Sequence, residues 1–81
     1  MDQREQEQLL ALGRALSEIR GERGMGVAKL AGAAGIDLKL IATLEAGRLN
    51  PSYELLVALA EGLGVPVSVL VIRAEELLAG G

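Results

Sequence analysis

The sequence predicts an all-α fold, and three observations carry that prediction. Apolar residues recur at steps of three and four along most of the chain. They are mainly Leu and Ala, which favour helix, and few prolines interrupt them. The stretch 26–48 reads as two short helices around a tight turn, and the rest of the chain is arranged about it. With 81 residues, 51% of them apolar, the chain supports one domain (1–81) and one modest core.

The first helix is expected from near Asp2 to about Arg23, with Leu9, Leu12, Leu16 and Ile19 as its apolar stripe. Gly13 inside it costs about 1 kcal/mol against Ala, which points to close packing at that site. Gly21, Gly24 and Gly26 end the helix in a turn. They do not make a phosphate loop, because no strand precedes them and no Lys followed by Ser or Thr comes after. Next, Val27, Leu30, Ala31 and Ala34 fall on one helical face. Gly35 supplies a bend, the small Ala31 permits a close crossing, and Asp37 is placed to cap a second short helix. That helix turns Ile41 and Leu44 inward, and Gly47 ends it. The spacing is that of a helix-turn-helix.

A turn at Leu49-Asn50-Pro51-Ser52 leads into a fourth helix, with Asn50 or Ser52 as its cap and Pro51 in its first turn. Leu55, Leu56, Leu59, Ala60 and Leu63 form its inner face, and Gly62 and Gly64 mark its end. The final segment is ambiguous by composition. Val65, Val67, Val69, Val71 and Ile72 suit a strand, whereas Glu75, Glu76, Leu77 and Leu78 read as helix. A lone strand would lack a partner, so a helix from about Val67 to Leu78 is expected.

Composition narrows the chemistry. The chain has no cysteine and no histidine, which removes disulfides, thiolate chemistry, zinc sites and imidazole catalysis. Glu18, Glu22, Asp37 and Glu45 are grouped with no nucleophile, so neither catalysis nor a metal or cofactor is expected. The N-terminus is polar and acidic, unlike a signal peptide. The longest apolar run, Val65 to Ile72, is too short for a bilayer and contains Pro66 and Ser68. A cytoplasmic location is expected. The net charge of −3 argues at face value against a polyanionic partner, but the charge is unevenly spread. Arg14, Arg20, Arg23, Lys29, Lys39 and Arg48 outnumber the acids between 14 and 50, whereas both ends are net negative.

The series Leu12-Gly13, Leu16, Arg20, Leu30-Ala31, Gly35-Ile36, Ile41, Leu44-Glu45, Gly47, Pro51, Leu55-Leu56, Leu59-Ala60 and Leu63-Gly64-Val65 resembles the Cro/C1-type (XRE-like) helix-turn-helix family. The resemblance runs from about Leu9 to Val71. It implies a compact five-helix, lambda-repressor-like domain that binds double-stranded DNA, usually as a homodimer, with the second motif helix in the major groove. It also implies an ion pair between Arg20 and Glu45. The groove-facing positions are then Asp37, Leu38, Lys39, Ala42 and Thr43. Lys39 suits guanine or phosphate, Thr43 a base or a thymine methyl, and Leu38 and Ala42 apolar contact only. Lys29 and Arg48, with Arg23, are the expected phosphate partners. The family usually opens its first motif helix with Ser or Thr followed by a phosphate-holding Gln, and Gly26 and Val27 stand there instead. Ala46 replaces a common Asn.

Two functions follow from this reading. One is a small sequence-specific DNA-binding transcriptional regulator, of repressor type, acting as a homodimer. The alternative keeps the fold as a protein-interaction module, with Val27, Leu38 and Leu40 as an exposed apolar patch. Val69, Val71, Ile72, Leu77 and Leu78 exceed what one small core buries. Segment 66–79 is therefore expected to dimerise, chiefly through Val69, Ile72 and Leu77.

Overall fold

A computed structural model describes residues 2–80. These form five helices and no strand: α1 Gln3–Glu22, α2 Val27–Ala34, α3 Leu38–Glu45, α4 Tyr53–Leu63 and α5 Val67–Gly80. The order is the one expected. The β-branched stretch after Pro66 is helical, and its helix runs two residues beyond Leu78.

The helix starts follow from local hydrogen bonding. The Asp2 carboxylate accepts the Glu5 N–H at 2.7 Å, giving α1 its cap. Ser52 Oγ accepts the Leu55 N–H at 3.1 Å, so Ser52 rather than Asn50 caps α4. Pro51 thus precedes the cap and lies outside the first turn of α4, not within it as expected. Tyr53 opens α4 and points outward, 67% exposed.

Burial explains the assembly. Leu16 and Ile19 of α1, Leu30 of α2, Ile41 and Leu44 of α3, Leu59 and Leu63 of α4, and Leu70 of α5 meet in one apolar core. No polar or charged residue among those described is fully buried. α1 packs against both α3 and α5, while α2 packs against α3 and α4. Two glycines set the close crossings. A Cβ on Gly13 would meet the carbonyl oxygens of Leu44 and Glu45, the latter at 2.7 Å. One on Gly62 would lie 3.0 Å from Ala34 Cβ and 3.1 Å from Leu30 Cδ1. The tight contact at Gly13 is why the helix tolerates a residue of poor helical propensity there.

α5 is strapped to α1 by charge. Arg73 donates to both carboxylate oxygens of Glu22, at 2.7 and 3.0 Å, and to Glu18 at 3.2 Å. Glu18 in turn accepts from Arg14 at 3.1 Å. The Arg73 hydrogen bonds hold the Glu22 carboxyl below its usual range, and the same contacts raise Arg73 above its own. Leu70 and Ala74 face the core and Val69 packs against it. The expected dimer residues differ in exposure. Val69 and Leu77 are half-buried, whereas Val71, Ile72 and Leu78 are exposed. No single described helix is long and apolar enough to cross a membrane. α4 and α5 together have the length, but they meet at a bend of 103°.

Candidate nucleic-acid interface

α2 begins at Gly26, which has a capping backbone conformation but no side chain to bond the helix end. Val27, on its first turn, packs partly against the core. It is therefore poorly placed for the phosphate contact expected at its position. Lys29 is exposed. The helix closes at Gly35, whose φ of +68° is the left-handed conformation that favours glycine. The Ile36 N–H then reaches back to the Ala31 carbonyl at 3.0 Å.

α3 starts with Asp37, whose carboxylate accepts the Lys39 N–H at 2.8 Å. That bond folds the negative charge onto the helix end. Ile41 and Leu44 are each 1% exposed and define the inward side. At about 100° per residue, Lys39, Ala42, Thr43 and Ala46 lie opposite them, with Leu38 and Leu40 on the two flanks. All six are exposed. Leu38 and Leu40 thus stand on opposite edges of α3, and Val27 is drawn toward the core. Of the apolar residues considered for a protein-interaction module, Leu38 and Leu40 are therefore exposed on separate flanks and Val27 is half-buried. The Thr43 hydroxyl donates to the Lys39 carbonyl at 2.8 Å, which leaves its lone pairs and methyl group for an outside partner.

Three contacts along α1 fix the last turn of α3. Arg20 grips both carboxylate oxygens of Glu45, at 2.8 and 3.0 Å, with its third nitrogen on the Met25 carbonyl at 2.9 Å. The two side chains are 17% and 15% exposed, and the hydrogen bonds to Glu45 raise the pKa of Arg20. Gly13 lies against the Leu44 and Glu45 carbonyls. Gly47, at φ +74°, sits under Leu10, where a Cβ would fall 2.6 Å from Leu10 Cδ2. One guanidinium therefore ties α1, the turn before α2 and α3 together.

The basic residues divide by role. Lys29, Lys39 and Arg48 are exposed, and Arg48 follows directly after the turn that ends α3. Arg23, offered from sequence as a phosphate partner, instead donates its Nε–H to the Leu63 carbonyl at 3.0 Å. It serves the C-terminus of α4, where a cation suits the exposed carbonyls. Sequence reading missed this role, the Arg73 strap and Leu10, whose partners lie more than thirty residues away and leave no local signal.

Two short helices joined by a left-handed glycine, the second anchored inward by Ile41 and Leu44 and bare on its other side, define a helix-turn-helix protein. A family model described as "Helix-turn-helix domain" matches residues 11–70, and the chain belongs to that family, in its Cro/C1-type branch. It is 46% identical over 52 residues to the HTH-type transcriptional regulator DdrOP3 of Deinococcus deserti, covering 64% of this chain and 40% of that protein. It is 34% identical over 68 residues to the transcriptional regulator ClgR of Mycobacterium tuberculosis, covering 84% of this chain and 61% of that one. The chain thus spans less than two thirds of either regulator. The crystal structure of the clp gene regulator ClgR from Corynebacterium glutamicum superposes with a TM-score of 0.84 at 33% identity, over 89% of this chain and 77% of that one.

Proposed function

We propose that this chain is a DNA-binding transcriptional regulator that lays α3 in the major groove of duplex DNA and acts as a homodimer in the cytoplasm. The observation that carries the reading is the pose of α3. Its inward side is locked by Ile41, Leu44 and the Arg20–Glu45 pair, while Lys39 and Thr43 emerge together on the other side. A helix fixed from behind and bare in front fits the groove-reading element of such domains. The regulators it resembles support the same reading.

In this reading Lys39 reaches guanine or phosphate, Thr43, Leu38 and Ala42 contact base edges, and Lys29 and Arg48 meet phosphates. The Asp37 carboxylate, held on the α3 N-terminus, keeps off the backbone. The exposed Val71, Ile72 and Leu78 of α5, with Leu10 of α1 beside Leu78, form the dimer face. No catalytic role is assigned to any residue.

The test is a fluorescence anisotropy titration with genomic duplex fragments at rising salt. Two phosphate contacts per subunit, from Lys29 and Arg48, or three where Lys39 also takes a phosphate, give a slope of log affinity on log salt of about −2 to −3, and roughly twice that for a dimer on two half-sites. Saturable binding with such a slope supports the reading. Binding that fails to saturate, or that ignores salt, removes it.

A further inference from the structure

We infer that the α3 surface selects its site chiefly by the C5-methyl groups of thymine, with Lys39 supplying a single polar anchor. The inference rests on the major-groove reading above and specifies what that surface recognises.

The argument is an inventory of what α3 offers. Of its outward residues, Leu38, Leu40, Ala42 and Ala46 carry no hydrogen-bonding side chain. Leu38 is 45% exposed and so presents bare aliphatic surface on this helix. Thr43 would ordinarily be a donor as well as an acceptor, but its proton is held by the Lys39 carbonyl at 2.8 Å. What it turns outward is a methyl group and oxygen lone pairs. Asp37 accepts the Lys39 N–H through Oδ1, which keeps its carboxylate at the N-terminal end of the helix. Only the Lys39 ammonium remains as a donor on this face.

The major-groove edges of the four bases differ in what such a surface can use. Guanine offers O6 and N7 to a lysine, and thymine offers a methyl group to aliphatic carbon. Cytosine and adenine present amino donors, for which the face itself offers only the Thr43 Oγ1 lone pairs, the free oxygen of Asp37 lying at its N-terminal end. Facing a thymine methyl, Leu38, Ala42 and the Thr43 methyl gain buried apolar area. Facing an amino group, the aliphatic side chains strip water from a donor and return no bond. The surface therefore discriminates by methyl contact and by exclusion, with guanine fixed at Lys39.

The experiment starts with an unbiased selection of duplexes bound by the protein. The enriched site is then resynthesised with deoxyuridine in place of thymidine, one position at a time, which removes the methyl and leaves the base pairing intact. Each contacted methyl should be worth about fourfold in affinity, so two lost together should weaken binding about fifteenfold, with the salt slope unchanged. In L38A, an exposed position whose change leaves the core untouched, the uracil penalty at one position should vanish. That coupling separates direct contact from any effect of uracil on duplex shape. An enriched site whose uracil forms bind as tightly as the parent overturns the methyl reading and leaves DNA binding standing. A selection that enriches no duplex removes the major-groove reading itself.

Discussion

Single residues in this chain hold disproportionate responsibility, and Glu45 is the plainest case. Its carboxylate is the partner of two guanidinium nitrogens in a largely sheltered site. Glu45→Ala would leave Arg20 charged and half-paired, and a loss of about 3 kcal/mol in urea unfolding is expected. Unchanged stability would show the pair to be ornamental. Glu22 behaves differently because it lies at the surface. Its folded pKa lies below the ordinary 4.5, owing to the Arg73 hydrogen bonds, so the unfolded chain takes up the proton more readily. Its stabilising contribution is therefore complete above the ordinary carboxylate value and disappears as pH falls through the folded one. Urea midpoints followed between about pH 7 and about pH 3 should fall less steeply for Glu22→Gln than for the parent. Identical curves would remove Glu22 from the acid sensitivity of the fold.

At the level of elements, the helices were legible because each carries its own punctuation. Leu9, Leu16 and Ile19 marked the inner side of α1, and Asp37, Gly35 and Gly64 marked ends that need a cap or a left-handed residue. Gly35 gives the cleanest test of that logic. A Cβ there meets no atom within 4 Å, so the cost of Gly35→Ala comes from backbone conformation alone and should be about 1 kcal/mol in urea unfolding. What stayed hidden was rotation. From Val65 to Val71 only Pro66 and Ser68 break the apolar run, so the sequence could not say which side of α5 faces the core. Packing decides it, turning Leu70 and Val69 inward and leaving Val71 and Ile72 outside. The site was legible in the same uneven way. Lys39 and Thr43 emerge together as periodicity required, but the hydroxyl bond to the Lys39 carbonyl depends on a rotamer that no pattern encodes.

For the molecule as a whole, the proposed assembly turns on the outer face of α5. Ile72 is 52% exposed on an apolar helix that covers only part of its surface with its own core. Sedimentation at micromolar concentration should give a dimer, and Ile72→Glu should return it to monomer with its helical content intact. A parent that sediments as a monomer would defeat the proposed homodimer. The fold has one further practical consequence, seated in Tyr53. It is the sole chromophore of a chain without tryptophan or phenylalanine, and it already stands in water at the start of α4. Denaturation will hardly alter its emission. A partner that lands on the connection between α3 and α4 will, so this lone ring is blind to unfolding and alert to company.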